Sequence, residues 1–287
     1  MALVMVASSV GLMGLAVGVS SAAPAVACGA VLTANTTLTQ DLVCSSGDGL
    51  TLAANGITVD LKGHTITGLD GTVAAIRIPG GVTGVTVQNG SLAGFADGVV
   101  ADTANSNHIT KLRISVTDQG ILLANAANTL VDKNTITARY RDGIKVDGNN
   151  NTIAQNTVTN SAFGISVSAN ATGNTVTQNV LTGNRDFGVA AFDNASGTTI
   201  LRNTVSGSVD GIKVDPNTSG TLVKQNTSFS NSNDGIKVTS ASTTITQNTT
   251  YGNGGAGIEA VPGVTDGGGN NAYGNGSPCV NIACSTS

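Results

Sequence analysis

From residue 49 onwards, short apolar stretches alternate with turns rich in glycine, asparagine and serine. Within these stretches apolar and polar positions alternate, as in "GIKV", "NTIA" and "NTVT". Successive side chains of a β-strand point to opposite faces, so the alternation predicts strands with one buried face. Valine, isoleucine and threonine dominate the stretches, and these residues favour strands. No helical period occurs outside the N-terminal segment, so the pattern predicts an all-β protein.

The predicted strands recur with a period of about 23 residues. One strand of each unit follows a glycine, and an asparagine marks a second position of the unit. The glycines are Gly98, Gly120, Gly143, Gly164, Gly188, Gly211, Gly235 and Gly257. The asparagines are Asn134, Asn156, Asn179, Asn203, Asn226 and Asn248, with Asn89 as an expected earlier member. The hexapeptide "DGIKVD" stands at 142–147 and, three units later, at 210–215; "DGIKVT" stands at 234–239.

A repeat of this length is typical of a solenoid. Three short strands per unit, without a helix, predict a parallel β-helix of about ten coils of 22–24 residues. Inward side chains such as Ile144 and Val146 then stack in columns at a strand spacing of about 4.8 Å. The asparagine column is predicted to form a ladder in a tight turn, where asparagine tolerates a left-handed φ. The glycine column is predicted to mark a second turn with positive φ.

The N-terminal segment differs from the repeats. Residues 1–27 form an apolar run that ends in small residues, and "AVA" at 25–27 fits a signal-peptidase site. They therefore predict a signal peptide and a secreted protein without a membrane span after processing. A retained transmembrane anchor is one alternative. A second alternative is lipidation of Cys28, directly after the predicted cleavage site.

The four cysteines lie at the two ends of the predicted mature chain, as Cys28, Cys44, Cys279 and Cys284. Four cysteines allow three connectivities, and the spacing favours two local disulfides, 28–44 and 279–284. Export to an oxidising compartment permits such bonds. A zinc site is less well supported, because the two histidines lie far from both pairs. We expect the bridges to close an N-terminal cap, 28–48, and a C-terminal cap, 262–287, around repeats 49–261.

Charge narrows the range of partners. Only 10% of residues are charged and the formal net charge is −4. A basic surface for nucleic acid or an anionic membrane is therefore not expected. We predict a monomer that binds neither of these partners.

Several segments resemble one known group of proteins. They are "CGAVLTANTTLTQDLVC", "GITVDLKGHTITG", "VTVQNGSLAGFADGVV" and the later coils of the form "GI…NTI…QNTVT". The chain resembles, over 28–287, the secreted right-handed parallel β-helix repeat proteins of bacteria and archaea, within the pectate-lyase-like superfamily. The resemblance implies a right-handed β-helix. It does not select a function, because the superfamily contains polysaccharide lyases, epimerases, polygalacturonases, adhesins and ice-binding proteins.

The catalytic signatures of these enzymes are absent. The sequence has no "NTD", "DD", "GHG" or "RIK" of polygalacturonases, no "RxPxxR" of pectate lyases and no "DPHE" of epimerases. Copper binding would require histidine or methionine, and the predicted mature chain has very few of either. We interpret His64, in the first-coil motif, and His108, at a strand start, as structural residues.

Charged and aromatic residues concentrate on the outward side of the strand that follows the glycine. Lys145, Lys213 and Lys237 stand two positions after it, and Asp147, Phe192 and Asp215 stand four positions after it. The turns beside this strand contain Tyr140, Arg141 and Asp142, and Arg185, Asp186 and Phe187. Ser166 and Ala190 lie between Lys145 and Lys213, which predicts a shallow trough with Phe192 as its floor. An anion is expected between Lys213 and Lys237. The simpler interpretation is that the lysines and aspartates form surface ion pairs, each worth under ~1 kcal/mol.

These residues predict a secreted β-helix protein that interacts with an extracellular polysaccharide, expected to be acidic. The candidate binding residues are Tyr140, Arg141, Lys145, Asp147, Arg185, Phe192, Lys213, Asp215 and Lys237. The protein would be either a binder or a lyase of uronate polymers, which needs a base and a cation to neutralise the carboxylate. No cofactor is expected, except Ca²⁺ if the protein is such a lyase. A non-catalytic adhesive module is the alternative. Ice binding is a minor one, because the outward threonines of 135–137 and 157–159 do not continue into later coils.

Overall fold

A computed structural model describes residues 26–69 and 72–286 of the chain. In this part every regular element is a β-strand, and the strands form three sheets that run along a solenoid. Sheet A has twelve strands, which follow one another along the axis in chain order. They are β1 (Ala30–Leu32), β4 (Leu50–Leu52), β7 (Ala74–Ile78), β9 (Asp97–Asp102), β11 (Ile121–Ala124), β14 (Asp142–Val146), β17 (Phe163–Val167), β20 (Phe187–Ala191), β23 (Asp210–Val214), β26 (Ile236–Val238), β29 (Ala256–Ala260) and β32 (Ser277–Val280).

The two other sheets share two long strands, β8 (Thr86–Ala93) and β10 (His108–Val116), which pass from one sheet into the other. Sheet B consists of β2 (Thr36–Thr37), β5 (Thr58–Asp60), β8 (Thr86–Ala93), β10 (His108–Val116), β12 (Leu130–Asp132), β15 (Thr152–Ala154), β18 (Thr175–Thr177), β21 (Thr199–Leu201), β24 (Leu222–Lys224), β27 (Thr244–Thr246) and β30 (Thr265–Asp266). Sheet C adds β3 (Leu42–Cys44), β6 (Thr65–Gly68), β13 (Thr135–Ala138), β16 (Thr157–Thr159), β19 (Val180–Thr182), β22 (Thr204–Ser206), β25 (Thr227–Phe229), β28 (Thr249–Tyr251) and β31 (Asn271–Tyr273).

Each strand pairs in parallel with its equivalent one coil later. For example, β14 pairs with β17, β15 with β18 and β16 with β19. The predicted parallel β-helix is confirmed. Sheet A has more strands than the ten or so coils expected, because both terminal segments contribute strands: β1 pairs with β4, and β32 pairs with β29.

The core consists of the predicted inward columns. Their members from sheet A are all buried: Ile144, Val146, Ile165, Val167, Val189, Ala191, Ile212, Val214, Ile236 and Val238. Each column stacks along the axis, as in the register of Ile144 opposite Ile165 and of Ile165 opposite Val189. The alternation of apolar and polar residues in the sequence therefore predicts correctly which side chains form the core.

The asparagine column forms the predicted ladder. The backbone N–H and the Nδ2 of Asn179 both donate to Oδ1 of Asn203, at 3.0 Å each. The same pattern links Asn134, Asn156, Asn179, Asn203, Asn226, Asn248 and Asn270. The expected left-handed φ is wrong for these asparagines. It falls on the preceding residue, as in Gln178 (56°) and Arg202 (54°), because the ladder asparagine must turn its side chain inward.

The sequence assigned Asn89 to this ladder, and that assignment is wrong. Asn89 itself has a left-handed φ of 60°, and its Nδ2 donates to Asp60. The ladder position in its coil belongs to Gly90, which lies opposite Leu112. The Leu112 N–H in turn donates to Asn134, so the ladder begins only at that residue.

The interpretation of the glycine column is also wrong. These glycines lie in sheet A strands or directly before them, and none of the eight has a left-handed φ. They are required for space. A Cβ on Gly188 would overlap the Val205 side chain and would lie 2.7 Å from the carbonyl oxygen of Gly211. The missing side chain allows neighbouring coils and sheet C to approach sheet A closely.

Two disulfides close the ends, as predicted. Cys28 is bonded to Cys44, with Cα atoms 5.5 Å apart, and Cys279 is bonded to Cys284, with Cα atoms 6.1 Å apart. The zinc-site and lipidated-Cys28 alternatives are therefore wrong, since all four sulfurs are used. Except for Val26 and Ala27, the predicted signal peptide lies outside the described residues. In the part of the chain that is described, no helix is long and apolar enough to cross a membrane.

Both histidines join adjacent coils. Nδ1 of His64 lies 3.1 Å from Oδ1 of Asp41, and Nε2 of His108 lies 2.7 Å from Oδ1 of Asp132. These contacts agree with the structural roles that the sequence suggested.

Candidate functional site

The outer face of sheet A brings the candidate residues together in three parallel columns. The central column has the register Lys145, Ser166, Ala190, Lys213, Lys237 and Glu259. The upstream column, at the start of the same strands, contains Asp142, Phe163, Phe187 and Asp210. The downstream column, just past the strand ends, contains Asp147, Ser168, Phe192 and Asp215. Strand pairing therefore converts residues many positions apart into one continuous surface.

Each lysine of the central column is paired with a carboxylate of the chain itself. Nζ of Lys145 lies 2.9 Å from Asp147, and Nζ of Lys213 lies 3.6 Å from Asp215. These are the ion pairs that the sequence predicted. The Lys145–Asp147 pair lies at the end of β14, and the Lys213–Asp215 pair lies at the end of β23, three strands further along sheet A.

Lys237 makes the most extensive ionic contacts on the face. Its Nζ lies 2.6 Å from Glu259 and 3.0 Å from Asp234. The hydrogen bond that it donates to Glu259, followed by the contact with Asp234, raises the pKa of Lys237 well above its usual range. The counter-charges of Lys213 and Lys237 are therefore supplied by the protein, where the sequence predicted an external anion.

Three phenylalanine rings occupy the space between the two "DGIKVD" copies. The ring centroids of Phe163 and Phe187 are 5.5 Å apart, and those of Phe163 and Phe192 are 6.0 Å apart. Phe163 and Phe192 belong to different columns, so their side chains lean towards each other across the central column. We call these three residues the phenylalanine cluster. All three are half-buried, so part of each ring faces solvent.

The predicted trough between Lys145 and Lys213 is wrong. Ser166 and Ala190 occupy the expected positions and face outward, but both are fully buried. The phenylalanine cluster covers them. The face therefore carries an aromatic platform between two ion pairs, and the small side chains of Ser166 and Ala190 leave room for the rings above them.

Two residues that the sequence placed in turns belong to the upstream column. Asp142 begins β14 and Phe187 begins β20. The sequence carried a signal for this column: the residue before the glycine is acidic, aromatic or glutamine in seven of the eight units. These residues are Asp97, Gln119, Asp142, Phe163, Phe187, Asp210 and Asp234. Burial raises the pKa of Asp142, which is only 7% exposed. The platform thus has a largely desolvated carboxyl group at one border.

The predicted turn residues lie at the edge of the face. Nη2 of Arg185 donates to the carbonyl oxygen of Tyr140, at 3.1 Å, and Nε of Arg141 lies 3.3 Å from Asp118. Tyr140 is 55% exposed, and the guanidinium of Arg139 lies 5.1 Å from the centroid of its ring. All nine candidate residues therefore lie on one face or on the turn that borders it.

Metal-ligating side chains do not converge on this face. Over residues 26–69 and 72–286, no group of three or more histidine, cysteine or acidic side chains is arranged to hold a metal ion. The groups that this face offers to a ligand are aromatic rings, ion pairs and the backbone polar groups of the bordering turns.

The fold and the outer face together define a class of protein, a parallel β-solenoid whose outer sheet carries aromatic side chains. The chain belongs to the right-handed β-helix family: residues 33–205 and 119–276 match the family described as the right handed beta helix region. A comparison with curated protein sequences finds no match.

Solved structures share this fold at low sequence identity. The Dettilon tailspike protein is 18% identical with a TM-score of 0.58; the match covers 88% of this chain and 62% of the tailspike. An alginate lyase from Paenibacillus sp. is 15% identical, with a TM-score of 0.57 and coverage of 84% and 91%. The A-module of the Azotobacter vinelandii mannuronan C-5 epimerase AlgE6 is 13% identical, with a TM-score of 0.59 and coverage of 88% and 91%. At these identities the similarity establishes the fold.

Proposed function

We propose that the protein binds an extracellular polysaccharide chain along the outer face of sheet A. The observation that carries the proposal is the phenylalanine cluster, which stands between the Lys145–Asp147 and Lys213–Asp215 pairs. Sugar rings present C–H faces that pack on aromatic rings, and hydroxyls that bond to charged groups. The face offers both kinds of contact on a rigid sheet.

Two further observations support this function. Proteins of similar fold include one named as an alginate lyase and one named as a mannuronan epimerase, so polysaccharides are ligands of this architecture elsewhere. The predicted signal peptide and the two disulfides support action outside the cell, where such polymers occur.

Binding without catalysis is the form of this proposal that the face favours. A lyase needs a base, and the carboxylates beside Lys237 hold its ammonium in the protonated form by raising its pKa. The central lysines otherwise point into ion pairs. A non-catalytic adhesive module on a cell surface would use the same face, with a polysaccharide as its anchor. Lyase activity, with or without Ca²⁺, is therefore an outcome that the experiment must report.

The first test is retention on polysaccharide columns. We expect the wild-type protein to be retained by at least one polysaccharide, and we expect the double variant Phe163→Ala, Phe187→Ala to bind about tenfold more weakly or worse, as the loss of two aromatic contacts implies. The matched control is Tyr273→Ala, which removes an exposed aromatic side chain from sheet C. Equal weakening by both changes would contradict the assignment to sheet A.

The same samples decide between binding and cleavage. Incubation with uronate polymers, with and without added Ca²⁺, is followed by the absorbance of the unsaturated product that β-elimination releases. We expect retention without product. Product formation would show that the protein is a lyase.

A further inference from the structure

The charges around the phenylalanine cluster are mostly negative. From the turn before β11 to the end of β29, the carboxylates on and beside the outer face of sheet A are Asp118, Asp142, Asp147, Asp186, Asp193, Asp210, Asp215, Asp234 and Glu259. The cations in the same interval are Arg139, Arg141, Lys145, Arg185, Lys213 and Lys237. Nine carboxyl groups thus face six cations, so the local field repels a polyanion.

Four of these cations have their charge balanced by a carboxylate of the chain itself. The four that form ion pairs are Arg141, Lys145, Lys213 and Lys237, each within 4 Å of a carboxylate. Arg185 donates to a backbone carbonyl and Arg139 lies over the ring of Tyr140, so these two charges, in turns at the edge of the face, are not balanced by an ion pair. A uronate chain would add one carboxylate per sugar to this surface. Beyond the two arginines at the edge, it would have to break existing ion pairs to find a partner. Each broken pair would leave a half-buried carboxylate uncompensated.

An ion pair remains a good partner for an uncharged hydroxyl. A lysine ammonium has three donors and a carboxylate has about four acceptor sites, and one mutual contact uses only part of this capacity. A sugar hydroxyl is both donor and acceptor, so it can bond to Asp147 and Lys145, or to Asp215 and Lys213, without disturbing the pair. Such contacts add no net charge to the face.

The spacing suits a short segment of such a chain. Lys145 and Lys213 lie three strands apart in one column, which corresponds to about 14 Å along the axis. The phenylalanine cluster fills that interval and offers the apolar surface on which the C–H faces of sugar rings pack. The duplicated hexapeptide therefore provides matching polar borders on the two sides of one aromatic platform.

We infer that the ligand of this face is an uncharged glycan, with its rings on the phenylalanine cluster and its hydroxyls on the Lys145–Asp147 and Lys213–Asp215 pairs. This inference rests on the proposed function and names its ligand class. It differs from the acidic polymer expected from the sequence, which was based on the lysines before their partners were known.

The test compares uncharged and uronate polysaccharides of similar length as two parallel sets of columns. We expect the wild-type protein to be retained by an uncharged polymer and to pass through the uronate columns, with a retention that changes little between low and high salt. Retention by uronate polymers alone, lost at high salt, would overturn the inference and leave the proposed function standing. Absence of retention on every column would overturn the proposed function itself.

A charge variant gives a second readout. Asp147→Asn with Asp215→Asn removes two carboxylates and frees Lys145 and Lys213, so we expect this variant to gain salt-sensitive retention on the uronate columns. The matched control, Asp60→Asn with Asp132→Asn, changes the net charge equally on sheet B and should show no gain. Strong uronate binding by the wild type, unchanged in the variant, would contradict the inference. Light scattering of the wild type and of the Asp147→Asn, Asp215→Asn variant measures their oligomeric state. A wild-type dimer that the variant does not form would show that the face joins two copies of the chain, and this would also contradict the inference.

Discussion

At the scale of single residues, neighbours decide what identical sequences do. Asp142 and Asp210 occupy the same position in two identical hexapeptides. Asp210 accepts hydrogen bonds from Nδ2 of Asn233, at 2.6 Å, and from the N–H of Asp234, at 3.1 Å. Asp142 lies opposite Phe163 in the next coil, and burial raises its pKa. The difference comes from the following coil, since the hexapeptide itself is the same.

We predict that Asp142→Asn raises the melting temperature at neutral pH. A folded-state pKa above the unfolded value of about 3.9 means that the wild type loses stability as pH rises through the interval between the two. The asparagine variant lacks this loss. Its advantage should therefore be absent below about pH 4, grow through the interval and stay constant above it.

Thermal melts of both proteins between acidic and neutral pH check this prediction. Asp210→Asn is the matched control, because the Asp210 carboxylate is already hydrogen-bonded and its replacement should bring no comparable gain. An advantage for Asp142→Asn that is the same at every pH would show that the charge is not the cause.

At the scale of the repeating elements, polar ladders hold the three corners of the coil. One is the asparagine ladder already described. A second runs through Asn107, Thr129, Asn151 and Asn174. At the third corner Ser161 is linked to Asn184, and a separate run links Ser208, Asn231, Asn253 and Asn275. Each of these hydrogen bonds satisfies a backbone N–H of the preceding coil that strand pairing leaves free.

We predict that Asn203→Ala lowers the free energy of unfolding by about 1–3 kcal/mol, the cost of leaving buried polar groups unpaired. Asn203 accepts two hydrogen bonds from Asn179 and donates to Asn226 and to the carbonyl of Val176. Chemical denaturation measures the loss. Thr204→Ala, at the neighbouring outward position of β22, is the control and should change stability by much less. Equal losses for the two variants would argue against the ladder.

At the scale of the whole molecule, the stability of each coil depends on its contacts with the two neighbouring coils. Each sheet pairs a coil only with its neighbours, so the interior coils are protected on both sides while the terminal coils are not. The disulfides lie at these two vulnerable ends. Because the disulfide-bonded segments cover the two ends of the solenoid, the outer face of sheet A remains accessible to a ligand.

We predict that removal of the Cys28–Cys44 bridge loosens the N-terminal coil first. In the chain-entropy estimate this bridge contributes about 3 kcal/mol, against about 2 kcal/mol for the shorter Cys279–Cys284 loop. Amide hydrogen exchange of the Cys28→Ser, Cys44→Ser variant should show lost protection in β1 to β4 and unchanged protection in β14 to β23. The Cys279→Ser, Cys284→Ser variant is the comparison. A uniform loss of protection along the rod would contradict coil-by-coil stability.

The sequence by itself determined the repeat, the all-β coil, the inward columns, the asparagine ladder and both disulfides. These features depend on local alternation and on a constant spacing, which a linear sequence states directly. It also placed Lys145, Lys213 and Phe192 on the same outer face, because equivalent positions of successive units stack.

Only the tertiary structure decided what that face is. The leaning of Phe163 towards Phe192, the burial of Ser166 and Ala190, and the two carboxylates beside Lys237 depend on side chains from different coils. The same holds for the glycine column, whose cause is the close approach of sheets A and C and not a turn. A repeat determines the backbone position of each residue and the face on which its side chain lies. The conformation and the contacts of that side chain depend on the volumes and charges of neighbouring residues, which vary from one repeat to the next.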